Sequence, residues 1–380
     1  MAPREPEAAA PLPRANPLLL GHDKAERHIG QWITGGRMPH ALLICGPWGI
    51  GKATLAYRLA RRLLSRPSAS ALRLALPLGS GGGEPGGEGE EPFLPEDQGA
   101  RWVTAGTHPD LLAIERKFDE RKGRVQSDIV VDDIRRVSTF LSSSPAAGGW
   151  RVVVVDAADE MNRHAANALL KVLEEPNDKS LILLVAHRPA VLPATVRSRC
   201  RRLLLEPLPD AVVVSLIERY LPQTPTEDTA LLCALAEGSI GRALQLAAND
   251  GAAAFRATRA FFGKLADGDA KAVLPDIAEA GAALDEDRFQ VTVHVLSWWL
   301  RRIAGACLAT PWPGGGVAAA DENAALAGRL AAAVALDRWL GVWDKTQRLL
   351  AEAAAGNLDR SQALVTALLH MHCELHSASF

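Results

Sequence analysis

A chain of 380 residues, 48% hydrophobic and with a formal charge of −2, has room for two or three domains and the composition of an ordinary globular protein. With 42 basic against 44 acidic side chains it lacks the positive excess of a nucleic-acid-coating protein, so any DNA contact has to be local or made by partners. The five cysteines (45, 200, 233, 307 and 373) include no CxxC pair, which argues against a zinc module and a disulfide framework and fits a reducing cytoplasm.

The first 16 residues, rich in Pro and Ala, are expected to form a flexible leader and do not resemble a signal peptide. No charge-free apolar run of about 18 residues occurs, so a cytoplasmic chain without a membrane span is expected. A helical pattern covers Asp23 to Ile33 and ends in a polar turn at Gly35 and Gly36. Ala41 to Cys45 is a continuous apolar run of the kind a buried parallel strand needs. Directly after it comes Gly46-Pro-Trp-Gly49-Ile-Gly51-Lys52-Ala53-Thr54, which opens a helix predicted over Thr54 to Leu64.

That strand-to-helix context is what a phosphate loop requires. Glycines let backbone N–H groups close on phosphate oxygens, the helix N-terminus adds partial positive charge, and Lys52 reaches the outer phosphates. A glycine-rich turn without a ligand is the plainer alternative. Gly46, Gly49, Gly51, Lys52, Ala53 and Thr54 are therefore candidate nucleotide-binding residues, with ATP or ADP as the ligand. Ala53, however, stands where the motif places the Ser or Thr that holds magnesium. Thr54 comes one residue late, about 100° round the helix. Nucleotide binding without turnover, and no bound metal, is the expectation.

Residues 77–99, dominated by Gly, Pro and acids, read as a disordered insertion. Order resumes near Thr107-His108-Pro-Asp110, where His108 reads as a turn or packing residue rather than a site. A second strand, Trp150 to Val155, ends at Asp156, the position of a metal-side carboxylate in P-loop folds and a further candidate nucleotide-site residue. Asp159 and Glu160 follow and read as charges at the start of the next helix, too far along to activate water. That helix covers Arg163 to Glu174, and a third strand covers Ser180 to Ala186.

Strands with continuous apolar runs, separated by helices, predict a parallel sheet covered on both faces. Arg199, in the Ser198-Arg199-Cys200 segment, reads either as a surface arginine or as a guanidinium facing the phosphates of a neighbouring subunit. After residue 206 only helices are predicted: 208–221, 226–248, 252–266, 270–282, 285–309, 321–336 and 338–355. Trp298, Trp299, Trp339 and Trp343 suit burial between them, with some available to an interface. The fold class expected is α/β first, all-α second.

The phosphate loop, Leu169-Leu170-Lys171-Val-Leu-Glu174-Glu175-Pro176 and Ser198-Arg199-Cys200, in that order, resemble the AAA+ clamp-loader family: bacterial clamp-loader subunits and replication factor C. The likeness is good over about residues 20 to 250 and weaker over Asn357 to Arg360 and the helix that follows. It implies an AAA+ P-loop domain over 17–206, a helical lid over 207–250 and a helical collar over 255–380 that joins a ring of five.

The resemblance also implies partners: gamma/tau-type ATPase subunits, a delta-type clamp-opening subunit, the sliding clamp, and primer-template DNA reached through the complex. The family's motor subunits carry Glu where Ala157 stands, a sensor arginine where Gly241 stands, and a four-cysteine zinc module that this chain lacks. Arg242, one step round from that sensor position, reads as a solvated helix charge. The implied role is a non-hydrolysing stator of the replicase's clamp loader, with Arg199 catalytic in trans. An active motor using Glu160 as base is the alternative, and an unrelated P-loop kinase or transport ATPase is a third.

Overall fold

The computed structural model describes residues 10–65, 98–119, 124–146, 149–268, 270–280, 285–308, 319–354, 356 and 358–376. The chain divides into two units, Met1–Val212 and Val213–Phe380.

Unit one is built on a five-stranded parallel sheet. Its strands are β1 (Ala41–Cys45), β2 (Leu111–Glu115), β5 (Arg151–Asp156), β6 (Ser180–Ala186) and β7 (Arg201–Leu204), in the order β2-β5-β6-β1-β7. Every residue of β1 and β6, and all of β5 but Asp156, is buried. That two-sided burial is why these three strands read as continuous apolar runs.

The edge strands β2 and β7 were not predicted. Only Ile114 of β2 and Leu203 of β7 are buried; β7 begins with two arginines, and the apolar run of β2, Leu111 to Ile114, is short and mostly left partly open to solvent. Two further short strands, β3 (Phe118–Asp119) and β4 (Arg124–Val125), pair antiparallel.

Alternation along the strands sends side chains to two cores. Leu42, Ile44, Val152, Val154 and Leu183 meet Leu55 and Leu59 of α2 (Lys52–Leu64) and Ile29 of α1 (Asp23–Thr34). Leu43, Val153, Val155, Ile182 and Leu184 meet Ile134 of α4 (Val131–Ser142) and Leu169 of α5 (Arg163–Glu174). Of the insertion expected over 77–99, residues 77–97 lie outside the described residues. Gln98 and Gly99 instead begin the helix α3 (Gln98–Ala105).

Residues 10–16 of the expected leader are held in place. Arg61 donates to the carbonyls of Arg14 and Asn16, the latter at 2.9 Å, and Arg58 donates to Pro17 O at 3.0 Å. A short helix α6 (Ala194–Arg197) precedes β7, and α7 (Asp210–Tyr220) leads out of unit one.

Unit two is helical throughout its described residues: α8 (Thr226–Ala236), α9 (Ile240–Ala248), α10 (Gly251–Ala266), α11 (Ala270–Ala280), α12 (Glu286–Cys307), α13 (Ala319–Ala333), α14 (Leu336–Ala354) and α15 (Arg360–His376). The helix expected over 226–248 is two. Glu237 (φ 50°) and Gly238 (φ 78°) turn the chain, and Ser239 Oγ caps α9 by accepting from Arg242 N at 3.1 Å.

Trp298 and Trp299 are buried in an aromatic cluster in which Trp299 stacks on Phe255 at 5.6 Å and tilts against Phe262 at 5.4 Å. Trp339 is also buried and donates to Leu330 O at 3.2 Å. These three are core residues. No described helix is long and apolar enough to cross a membrane.

Candidate functional site

The loop between β1 and α2 has the geometry its sequence predicts. Gly46, Gly49 and Gly51 have φ of 149°, 76° and 102°, a region in which side chains are strained. A Cβ on Gly46 would lie 2.5 Å from Leu205 O, so the backbone there leaves no room for a side chain. Gly51 is the N-cap of α2, which starts at Lys52, and His22 Nε2 meets Ile50 O at 2.6 Å beneath the loop.

Lys52 is buried, and its Nζ donates to Pro47 O within the same loop. Burial pushes its ammonium down to about 8, with Asp156 and Asp159 pulling back. A glycine cradle, the positive end of a helix and a buried ammonium together fit an anionic phosphate. The magnesium side fits less well, because Ala53 offers no oxygen and the neighbouring Thr54 is buried.

Asp156 ends β5 beside a cleft of about 340 Å³ lined by Pro13, Arg14, Trp48, Tyr57, Glu115, Arg116, Ala157, Glu160 and His187 among others. Glu115 ends β2, Asp156 ends β5 and His187 follows β6, so the cleft lies at the carboxyl ends of the strands, beside the phosphate loop. In open α/β sheets this is the end where ligands bind. Burial above all, then Glu115, pushes the Asp156 carboxyl up to about 6, while Lys52 pulls it down.

The two nearby acids are engaged elsewhere. Asp159 was expected to be an N-terminal helix charge. It is instead buried in a short 3-10 turn, where its oxygens accept from the backbone N–H groups of His187 and Arg188, both at 2.9 Å. The following helix is capped by Asn162, whose Oδ1 accepts from Ala165 N at 2.9 Å. Glu160 does line the cleft, but Arg116 holds its carboxylate at 2.7 Å. Ala157, next to Asp156, is buried and has nothing to offer a water molecule.

Arg199 lies at the opposite end of the sheet. Arg201 pairs with Leu42 at the start of β1, whereas the phosphate loop begins at Gly46, four residues further on (46 − 42). At 3.3 Å per residue, the guanidinium's base is about 13 Å or more from its own loop along the strand direction. Its Nη2 lies 2.7 Å from Glu174 Oε1 and its Nη1 donates to Thr195 O at 3.0 Å. The side chain keeps 36% of its exposure.

Arg197, two residues earlier, donates to the carbonyls of Leu192 and Ala190, the latter at 3.2 Å. It therefore braces the loop, while the Arg199 side chain stays 36% exposed.

His108 plays the expected turn role: it is buried, its Nδ1 accepts from Asp110 N at 3.0 Å, and Trp102 meets it edge-on. Arg242 is not a solvated charge. Its side chain is 25% exposed and sits 3.6 Å from Glu237, a carboxylate that also receives Arg301 at 2.9 Å. The sequence reading missed Tyr57, Glu115, Arg116 and His187. Glu115 and His187 were findable as residues at the carboxyl ends of strands, given β2.

Part of the chain is similar to known proteins. Residues 95–209 match the family model described as DNA polymerase III, delta subunit. DNA polymerase III subunit delta' of Pseudomonas aeruginosa is 36% identical over 208 residues, covering 54% of this chain and 55% of that one. Over that stretch the chain is similar to the DNA polymerase III delta' subunits.

The Escherichia coli K12 delta' subunit is likewise 36% identical, over 217 residues, with 57% and 56% of the two chains covered. The tau subunit of the same organism is 28% identical over 271 residues, which is 69% of this chain and 38% of that one. The aligned stretch spans about half the length of the delta' relatives. The family-model segment holds Asp156, Glu174 and Arg199, and begins after the phosphate loop.

Proposed function

We propose that this chain is a non-hydrolysing, delta'-like stator of the replicative clamp loader. It would supply Arg199 in trans to ATP held by a neighbouring gamma/tau-type subunit while the sliding clamp is loaded on primed DNA. The observation that carries this reading is the location of Arg199. It is partly exposed, braced by its own protein, and at the far end of the sheet from its own phosphate loop. An arginine so placed has no use in its own site, whereas a guanidinium supplied to another subunit's phosphates stabilises transition-state charge.

The chain's own site supports the same reading. Gly46, Gly49, Gly51 and Lys52 keep a phosphate cradle for ATP or ADP, with Ala53, Thr54 and Asp156 beside it. Water activation there has lost its carboxylate to Ala157, and general-base catalysis needs a carboxylate within hydrogen-bond reach of the water. On this reading 207–250 serves as the lid and 255–380 as the collar of a five-membered ring. A delta-type subunit, the clamp and primer-template DNA complete the assembly, in the cytoplasm.

A second reading, an active motor, draws on Glu160, which lines the same cleft as Asp156; its engagement with Arg116 weighs against it. The purified chain with magnesium, ATP and DNA separates the two. It should bind nucleotide, lose that binding on Lys52→Ala, and show no phosphate release above background. Turnover that Lys52→Ala abolishes would establish the motor.

A further inference from the structure

Glu174 is the last residue of α5. A carboxylate there meets the negative end of the helix macrodipole, so the helix itself gains nothing from it. Its partner is Arg199: Glu174 Oε1 lies 2.7 Å from Nη2, with the carboxylate 48% exposed. From the other side, Nη1 donates to Thr195 O at 3.0 Å.

The backbone under Arg199 is also fixed. Val196 and Cys200 are buried on either side of it, and Arg197 ties the loop carbonyls together. A guanidinium carries five N–H donors in a rigid fork. Among the described residues two groups hold two of them, which leaves further donors for an incoming anion. An exposed ion pair of this kind contributes little to stability, and what it does supply is orientation.

We propose that Glu174 is a positioning residue for Arg199, fixing the guanidinium in the pose in which it meets the phosphates of a nucleotide bound to a neighbouring subunit. The inference rests on the trans role proposed above. It adds that the finger is set by its own protein before the neighbour arrives, so that little ordering remains to be done on assembly. Preorganisation of this kind acts on rate rather than on substrate binding.

The test uses the full chain, reconstituted with the gamma/tau-type and delta-type subunits of the same organism and assayed with ATP and primed DNA. Glu174→Ala should lower the DNA-stimulated kcat at the site that receives Arg199 by about tenfold, with the KM for ATP unchanged. Glu174→Gln, which keeps an acceptor oxygen at that place, should retain most of the rate. Combined with Arg199→Ala, Glu174→Ala should slow the reaction no further, because the two act as a unit. The melting temperature of Glu174→Ala should match the parent chain.

Three results would overturn the proposal: Glu174→Ala as fast as the parent or faster, Glu174→Gln as slow as Glu174→Ala, or Glu174→Ala failing to co-purify with its partners. The last would make the carboxylate an interface contact. Arg199→Ala, run alongside, distinguishes the two levels. If it slows hydrolysis and Glu174→Ala does not, only the positioning role falls. If Arg199→Ala has no effect, the trans reading itself falls.

Discussion

Asp156 concentrates the electrostatics of the cleft. Burial pushes its carboxyl up to about 6, the neighbouring acids Glu115, Glu160 and Asp159 add to this, and Lys52 is its counter-charge. The folded chain therefore holds this proton more tightly than the unfolded one, whose carboxyl titrates at about 3.9. Stability is lost as pH rises between those two values and is level above them.

Asp156→Asn removes the charge while keeping the shape. It should therefore stabilise the chain at pH 8 by about 1–3 kcal/mol and make almost no difference at pH 4. Urea denaturation at the two pH values checks this; a gain that is the same at both, or a loss at pH 8, would contradict it. The same residue shows the limits of sequence reading at this scale. Asp156 was legible as the end of a buried strand, but Asp159 was not legible as the acceptor for His187 and Arg188. That contact joins positions 28 and 29 residues apart and depends on how β6 ends beside β5.

Among the elements, those that repeat one physical pattern without interruption were legible. β1, β5 and β6 are buried on both faces and read as apolar runs, and α5 was read over Arg163 to Glu174, as it stands. Elements that border solvent were not. β7 reads Arg-Arg-Leu-Leu because it forms one edge of the sheet, and with it went the recognition that Arg199 stands at the opposite end from the phosphate loop.

Helix α12 was legible too, and its Trp298-Trp299 pair forms the centre of an aromatic core. Trp299 is fully buried against Phe255, Phe262 and Trp298, which sits edge-on at 5.3 Å. Trp299→Ala leaves a cavity there and should destabilise unit two by about 3–5 kcal/mol. Chemical denaturation followed by circular dichroism reads the loss, and a change under about 1 kcal/mol would mean the site collapses without consequence.

Taken as a whole, the molecule joins a glycine-rich loop that fits a phosphate, with Ala157 rather than a carboxylate after Asp156, to an arginine at the other end of the sheet. Each half is unremarkable alone. A degraded phosphate loop can serve as a structural turn, and an exposed arginine can be a surface charge. Together, in a chain similar to the delta' subunits, they make sense if the chemistry happens across a subunit boundary, as proposed. On the proposed reading, Arg199 acts on a nucleotide held by a neighbouring subunit. The most direct measurement is DNA-stimulated hydrolysis by the reconstituted loader with Arg199→Ala in this chain alone. Assembly should stay intact and the rate should fall about 10³-fold at the site that receives the guanidinium; an undiminished rate from the intact assembly would rule out the trans role.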